Sequence, residues 1–145
     1  MKYMGLLRLF ACLTIVVACL SESPKAVNTT ATVIRGKLVQ RENQPPAIET
    51  TEHKWIVLEG DGTTEHVLRD KRLAGDDFEA LGHFTSADHF QVDPAYTHAL
   101  HVLKDGRRLL VTYWCDVCSI RQYEPGPCMC CQRETHLDLR ELDAQ

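Results

Sequence analysis

Seven cysteines occur in the 145-residue sequence, and five of them fall between positions 115 and 131. Cys115-Asp116-Val117-Cys118 is separated by nine residues from Cys128-Met129-Cys130-Cys131. Thiolate sulfur is a soft ligand, and a C-x-x-C turn brings two sulfurs close enough to share one ion. Two such turns therefore offer the four ligands of a tetrahedral zinc site. The expected set is Cys115, Cys118, Cys128 and Cys131, because only Cys131 repeats the C-x-x-C spacing; Cys130 is the alternative fourth ligand. The anionic zinc–thiolate unit needs compensation, for which Arg121 and Arg133 are placed, together with backbone amides donating to sulfur. Asp116 works against this and is expected to face solvent. A site closed by four protein ligands has no open coordination position, so it points to folding rather than to catalysis.

Two other chemistries fit the same residues. In an oxidising compartment thiols pair, although five cysteines cannot all pair within one chain. Copper, iron or a redox-active C-x-x-C is the remaining option, and the soft Met129 between Cys128 and Cys130 is its argument. The seven histidines are scattered. His83 and His89 could approach across a hairpin as a second weak metal site, His98 and His101 could do so only if a turn or helix joins them, and His136 could add a fifth ligand to the cysteines. Each reads more simply as a polar strand position. There is no Gly-x-Ser-x-Gly elbow, phosphate loop, His-Glu-x-x-His or haem-attachment motif, and no spacing places a pair of carboxylates for acid–base work. The sequence is thus read as non-enzymatic, with a redox-active thiol as the one enzymatic alternative.

The elements that must hold these groups begin after an export signal. Lys2 and Arg8 precede an uncharged run from Leu9 to Ala18, long enough for a signal-peptide core and too short to span a bilayer. Its ending, Val16-Val17-Ala18-Cys19, resembles the lipobox of bacterial lipoproteins, which implies cleavage before Cys19 and lipid attached to it. Leu20 in the next position implies the periplasmic face of the outer membrane; ordinary cleavage after Ser21 or Ser23 would leave a periplasmic or secreted protein. Residues 1–18 are then signal peptide, 19–30 the lipidated cysteine and a tether, 31–112 a small β-barrel-like domain, and 113–145 a zinc-ribbon-like module. Removing Lys2 and Arg8 leaves 14 basic against 20 acidic residues. With Arg69–Arg72 and Lys104–Arg108 both interleaved with Asp, no stripe exists to displace phosphate counterions, and a nucleic-acid partner is excluded.

Strand chemistry runs from Ala31 to Gln40, with Ile34 and Leu38 on one parity, and Gly36 marks a bulge or sharp coil. Trp55 to Leu58 is a second strand. Thr63 or Thr64 caps a short helix carrying Val67 and Leu68 on its buried side. Phe78 to Phe84, with interior Gly82, is a third strand, and His89 to Val92 a fourth. Ala99 to Leu103 and Arg108 to Tyr113 form a hairpin around Asp105-Gly106, residues suited to a tight turn. The chain then enters the cysteine segment, with strands expected at Ile120 to Tyr123 and Thr135 to Arg140.

Short strands, interior glycines and a single helix predict a mainly β fold: a small barrel or coiled sheet with a C-terminal zinc-ribbon-like hairpin. The order resembles an oligonucleotide/oligosaccharide-binding (OB) barrel, except that the helix precedes the third recognised strand rather than following it. The segment Val111–Cys118 with Tyr123–Thr135, and more weakly Arg35 to Phe84, resembles a group of uncharacterised exported bacterial proteins. That resemblance implies an exported domain ending in a cysteine-rich module and nothing about substrate. Two functions fit: a non-catalytic, membrane-tethered envelope protein with structural zinc, binding an envelope protein or small ligand, or a metal-handling or thiol-active protein using Cys128, Cys130 and Cys131.

Overall fold

The computed structural model describes residues 31–142; the expected signal peptide, lipidated Cys19 and tether lie outside them. Five strands close into a barrel. β1 (Thr32–Val39) pairs antiparallel with β2 (Ala47–Glu49), and β2 with β3 (Trp55–Glu59). β3 pairs parallel with β5 (His89–Val92), β5 antiparallel with β4 (Asp77–Phe84), and β4 returns to β1 through Ile34↔Ala80. The order 1-2-3-5-4-1, with helix α1 (Gly62–Leu68) between β3 and β4, is that of an OB-like barrel. The sequence carries no strand signal for β2, a three-residue strand behind Pro45-Pro46. Counting it restores the helix to its place after the third strand.

Inward positions follow the strand period. Ile34 and Leu38, Ile48, Ile56 and Leu58, Phe78 and Ala80, and Phe90 and Val92 are all buried and meet inside the barrel. Val67, Leu68 and Leu73 join the same core from α1 and the 3-10 turn Lys71–Leu73. Gly36 and Gly82 are close-approach positions: a Cβ on Gly36 would stand 2.2 Å from the Glu49 carbonyl oxygen, and one on Gly82 2.0 Å from that of Gln91. Both let the barrel wall coil tightly against the next strand. The helix cap is Asp61, whose carboxylate accepts the Thr64 amide at 2.8 Å, so neither Thr63 nor Thr64 performs that role.

The sheet continues past the barrel. After a single helical turn, α2 (Tyr96–Ala99), β6 (Leu100–Lys104) pairs with the first half of β4 and forms the expected Asp105-Gly106 hairpin with β7 (Arg107–Cys115). Asp105 and Gly106 both have positive φ, 52° and 75°, as that turn demands. β7 then carries two partners, β8 (Ile120–Gln122) on one edge and β9 (His136–Glu141) on the other. Val111 and Tyr113 of β7 belong to the same buried cluster as the barrel residues, so one unbroken strand links the barrel core to Cys115 at its end. Among the described residues no helix is long and apolar enough to cross a membrane.

Candidate metal centre

The two C-x-x-C segments fold as matched turns. Cys115 closes the β7–β8 ladder opposite Ile120, and the Ser119 amide donates back to the Cys115 carbonyl at 2.8 Å. In the second turn the Gln132 amide donates to the Cys128 carbonyl at 2.9 Å, the same four-residue return. Ser119 and Gln132 occupy the left-handed region, with φ of 54° and 59°, and reverse the chain immediately after the second cysteine of each turn. Backbone amides converge on the first sulfur of each pair: those of Cys118 and Val117 on Cys115, those of Cys131 and Cys130 on Cys128.

The turns face each other so that the ligand atoms of Cys115, Cys118, Cys128 and Cys131 all lie within 4.8 Å of one another. Cys115 and Cys131 are 3.5 Å apart at sulfur. A tetrahedral ion with metal–sulfur bonds of about 2.3 Å sets its sulfurs about 3.8 Å apart, whereas a disulfide needs about 2.05 Å. The donor set therefore fits a tetrahedral metal ion, and the five cysteines are free thiols. Cys115 and Cys128 are buried, Cys118 and Cys131 half-buried. Cys130 is exposed and is not one of the four mutually close ligands, although its thiol contacts that of Cys118; its amide lies 3.4 Å from the Cys128 sulfur.

The electrostatics match a cation site. The amides of Cys131 and Cys130 lower the Cys128 thiol to about 7. The Cys118 amide acts likewise on Cys115, but burial and the sulfurs of Cys128 and Cys131 leave that thiol raised. Cys118 is raised as well, first by the thiol of Cys130 and then by that of Cys131. Four sulfurs this close cannot all ionise unless a positive ion sits among them. Of the two arginines expected to supply compensation, Arg121 is committed elsewhere, pairing with Asp138 at 2.9 Å and lying over the Trp114 ring at 5.1 Å; Arg133 is exposed. Directed amides meet the need instead, because a C-x-x-C turn points its own N–H groups at the leading sulfur.

Residues outside the cysteine pattern hold the second turn in place. Buried Gln122 accepts the Met129 amide at 3.3 Å and donates to the Glu124 carbonyl at 2.9 Å. Buried Thr135 donates its hydroxyl to the Gly126 carbonyl at 2.8 Å, and the Cys128 amide donates to the Arg133 carbonyl at 2.7 Å. Three contacts tie this segment to the barrel. Tyr96 Oη of α2 lies 2.6 Å from the Tyr123 carbonyl, Arg72 donates to the Thr135 carbonyl at 2.8 Å, and Thr63 donates to Glu124 at 2.6 Å. No sequence motif marks Gln122 or Thr135; Gln122 is an isolated polar residue at an inward position of β8, and Thr135 is a buried polar residue just before β9.

The histidines are placed apart from the cysteines. His136 pairs with the exposed Asp116 at 2.9 Å, and His89 with Glu59 at 2.8 Å, so neither His136 nor a His83–His89 pair forms a ligand group. His98 lies in α2 and His101 in the following strand β6; His98 is exposed while His101 is buried, and no third ligand joins them among the described residues. No protein-family model matches the chain, and neither the curated proteins nor the solved structures contain a significant match.

Proposed function

We propose that the chain is an exported, membrane-tethered, non-catalytic binding protein of the cell envelope, in which one structural zinc ion fixes the C-terminal hairpin against an OB-like barrel. The observation that carries this reading is the convergence of four cysteine sulfurs from two matched turns. Zinc is the ion that four thiolates in tetrahedral array select most readily, and it supplies no redox chemistry. Cys115, Cys118, Cys128 and Cys131 hold it, and the amides of the two turns carry the excess negative charge. With four protein ligands the ion has no position for water or substrate, so its contribution is conformational. Export and tethering rest on the signal-like run and the Cys19 lipobox resemblance, and agree with the exported bacterial group that the cysteine-rich tail resembles. The ligand is an envelope protein or a small molecule.

Elemental analysis with thiol titration tests the reading. The expected outcome is one zinc per chain, resistant to dialysis, with Cys130 alone reacting quickly with a thiol reagent. Cys130→Ser should leave the stoichiometry unchanged, and Cys131→Ser should lower it. Protein recovered from the envelope with two disulfides and no metal would contradict the proposal. Ready metal exchange together with a thiol count that follows redox potential would point to the metal-handling alternative. Intact mass tests the anchor: acyl mass on Cys19 is expected, and an unacylated chain beginning beyond it would refute tethering.

A further inference from the structure

We infer that the groove between the β1–β2 loop and the α1–β4 connection is a binding site for a phosphate-bearing ligand. The groove encloses about 630 Å³, within the range of small-molecule sites. It lies at one end of the barrel, remote in sequence from the cysteines, and does not depend on the zinc reading.

Charge is the first argument. Among the described residues, seven of thirteen Lys and Arg side chains are in ion pairs with Asp or Glu. Of the six that are not, three line this one groove: Arg41, Arg69 and Lys71. They come from separate stretches of an acidic chain, and the single carboxylate in the lining, Glu42, pairs with none of them. The nearby Asp70 is committed to Arg72 at 2.8 Å. Uncompensated cations lining one groove raise one another's energy, and an anion placed among them reverses that sign.

Preorganisation is the second. The Gln40 side-chain amide donates to the carbonyls of Leu68 and Asp70, at 2.7 and 2.9 Å, which fixes the base of the β1–β2 loop to the end of α1. Those two donations also occupy carbonyl oxygens that would otherwise repel an anion. Arg41 lays its guanidinium over Trp55, 3.9 Å from the ring centre. Stacking uses the flat face of the guanidinium and leaves its edge N–H groups for an acceptor. A lone carboxylate satisfies one such fork. Two arginines and a lysine suit a phosphate group with two or three terminal oxygens, and Asn43 in the same lining offers a neutral donor.

Phosphate of this kind comes either from a free phosphate compound or from a phospholipid headgroup. Calorimetric titration of the full chain in chloride buffer at fixed ionic strength, with inorganic phosphate in one arm and glycerophosphoglycerol in the other, distinguishes them. Saturation at one site per chain is expected with at least one probe. The tighter of the two identifies the source. The double substitution Arg69→Gln and Lys71→Gln should weaken binding by about tenfold or more, as expected when charge-assisted hydrogen bonds are lost. Lys104→Gln, which removes an unpaired cation elsewhere, should leave it unchanged. Failure of both probes to saturate would overturn the inference. So would equal weakening by Lys104→Gln, which would reduce the effect to diffuse charge.

Discussion

Ser119 and Gln132 hold left-handed backbone at equivalent points of the two cysteine turns, a conformation that costs a residue with a Cβ about 1–2 kcal/mol. Glycine relieves most of that cost and returns part of it as chain entropy. Ser119→Gly is therefore expected to stabilise the folded protein by about 0.5–1 kcal/mol, and Ser119→Val, β-branched at the same φ, to destabilise it. Denaturant midpoints of the two variants test the sign. Glu79 is the opposite case, a fully buried carboxylate between Arg35 at 2.6 Å and Arg108 at 2.6 Å. Burial pushes its proton affinity up, but the two guanidiniums outweigh burial and hold it below the ordinary carboxylate range. Its stabilisation is thus fully present above the unfolded-state value of about 4.3 and is lost as pH falls through the lower folded value. Glu79→Gln should cost about 2–3 kcal/mol at neutral pH, less than a fully enclosed pair would because both arginines are half exposed. The gap between wild type and variant should close as pH drops below about 4. A gap independent of pH would refute the assignment. Cysteine spacing is readable at this scale because the geometry of a four-sulfur metal site dictates it. Gln122, Thr135 and Glu79 were not, since a polar residue in a strand reads as solvent-facing until its partners from elsewhere in the chain are known.

The barrel strands are legible where they alternate and lost where they are short. β3, β4, β5 and the β6–β7 hairpin follow from apolar period and the Asp-Gly turn. β2 contributes only Ala47, Ile48 and Glu49, too few positions to show a period, and it exists because β1 and β3 both pair with it. Gly36 and Gly82 were readable as irregular positions, but their role is steric contact with the neighbouring backbone. Gly82→Ala must push β4 away from β5, because the Gln91 carbonyl cannot swing aside without leaving the ladder. We expect a loss of about 2–3 kcal/mol, comparable to an overpacked core, whereas Gly62→Ala, with open space around its Cβ, should be nearly silent. Thermal melts of the two variants check the contrast. Asp61→Ala, which removes the α1 cap, should cost about 1 kcal/mol and leave the barrel otherwise intact.

At the scale of the molecule, β7 carries barrel core residues in its middle and a cysteine ligand at its end, so the two parts share a strand but not a source of stability. The barrel has its own apolar interior, while the segment from Cys118 to Cys131 buries little beyond sulfur. Chelation of the metal should therefore unfold the stretch after β7, with amide exchange rising across residues 116–135, while β1 to β5 retain their protection. Loss of protection throughout would mean that the ion supports the whole fold. That a barrel precedes a cysteine hairpin was visible in the order of elements; how they join was not, because Tyr96, Arg72 and Thr63 reach the hairpin across 27, 63 and 61 residues of chain. X-ray absorption at the zinc edge of the purified protein tests the central claim most directly. The account predicts a single shell of four sulfurs at about 2.3 Å, lost in favour of a mixed shell when Cys131 is replaced by Ser. A wild-type shell containing nitrogen or oxygen, or only two or three sulfurs, would contradict it.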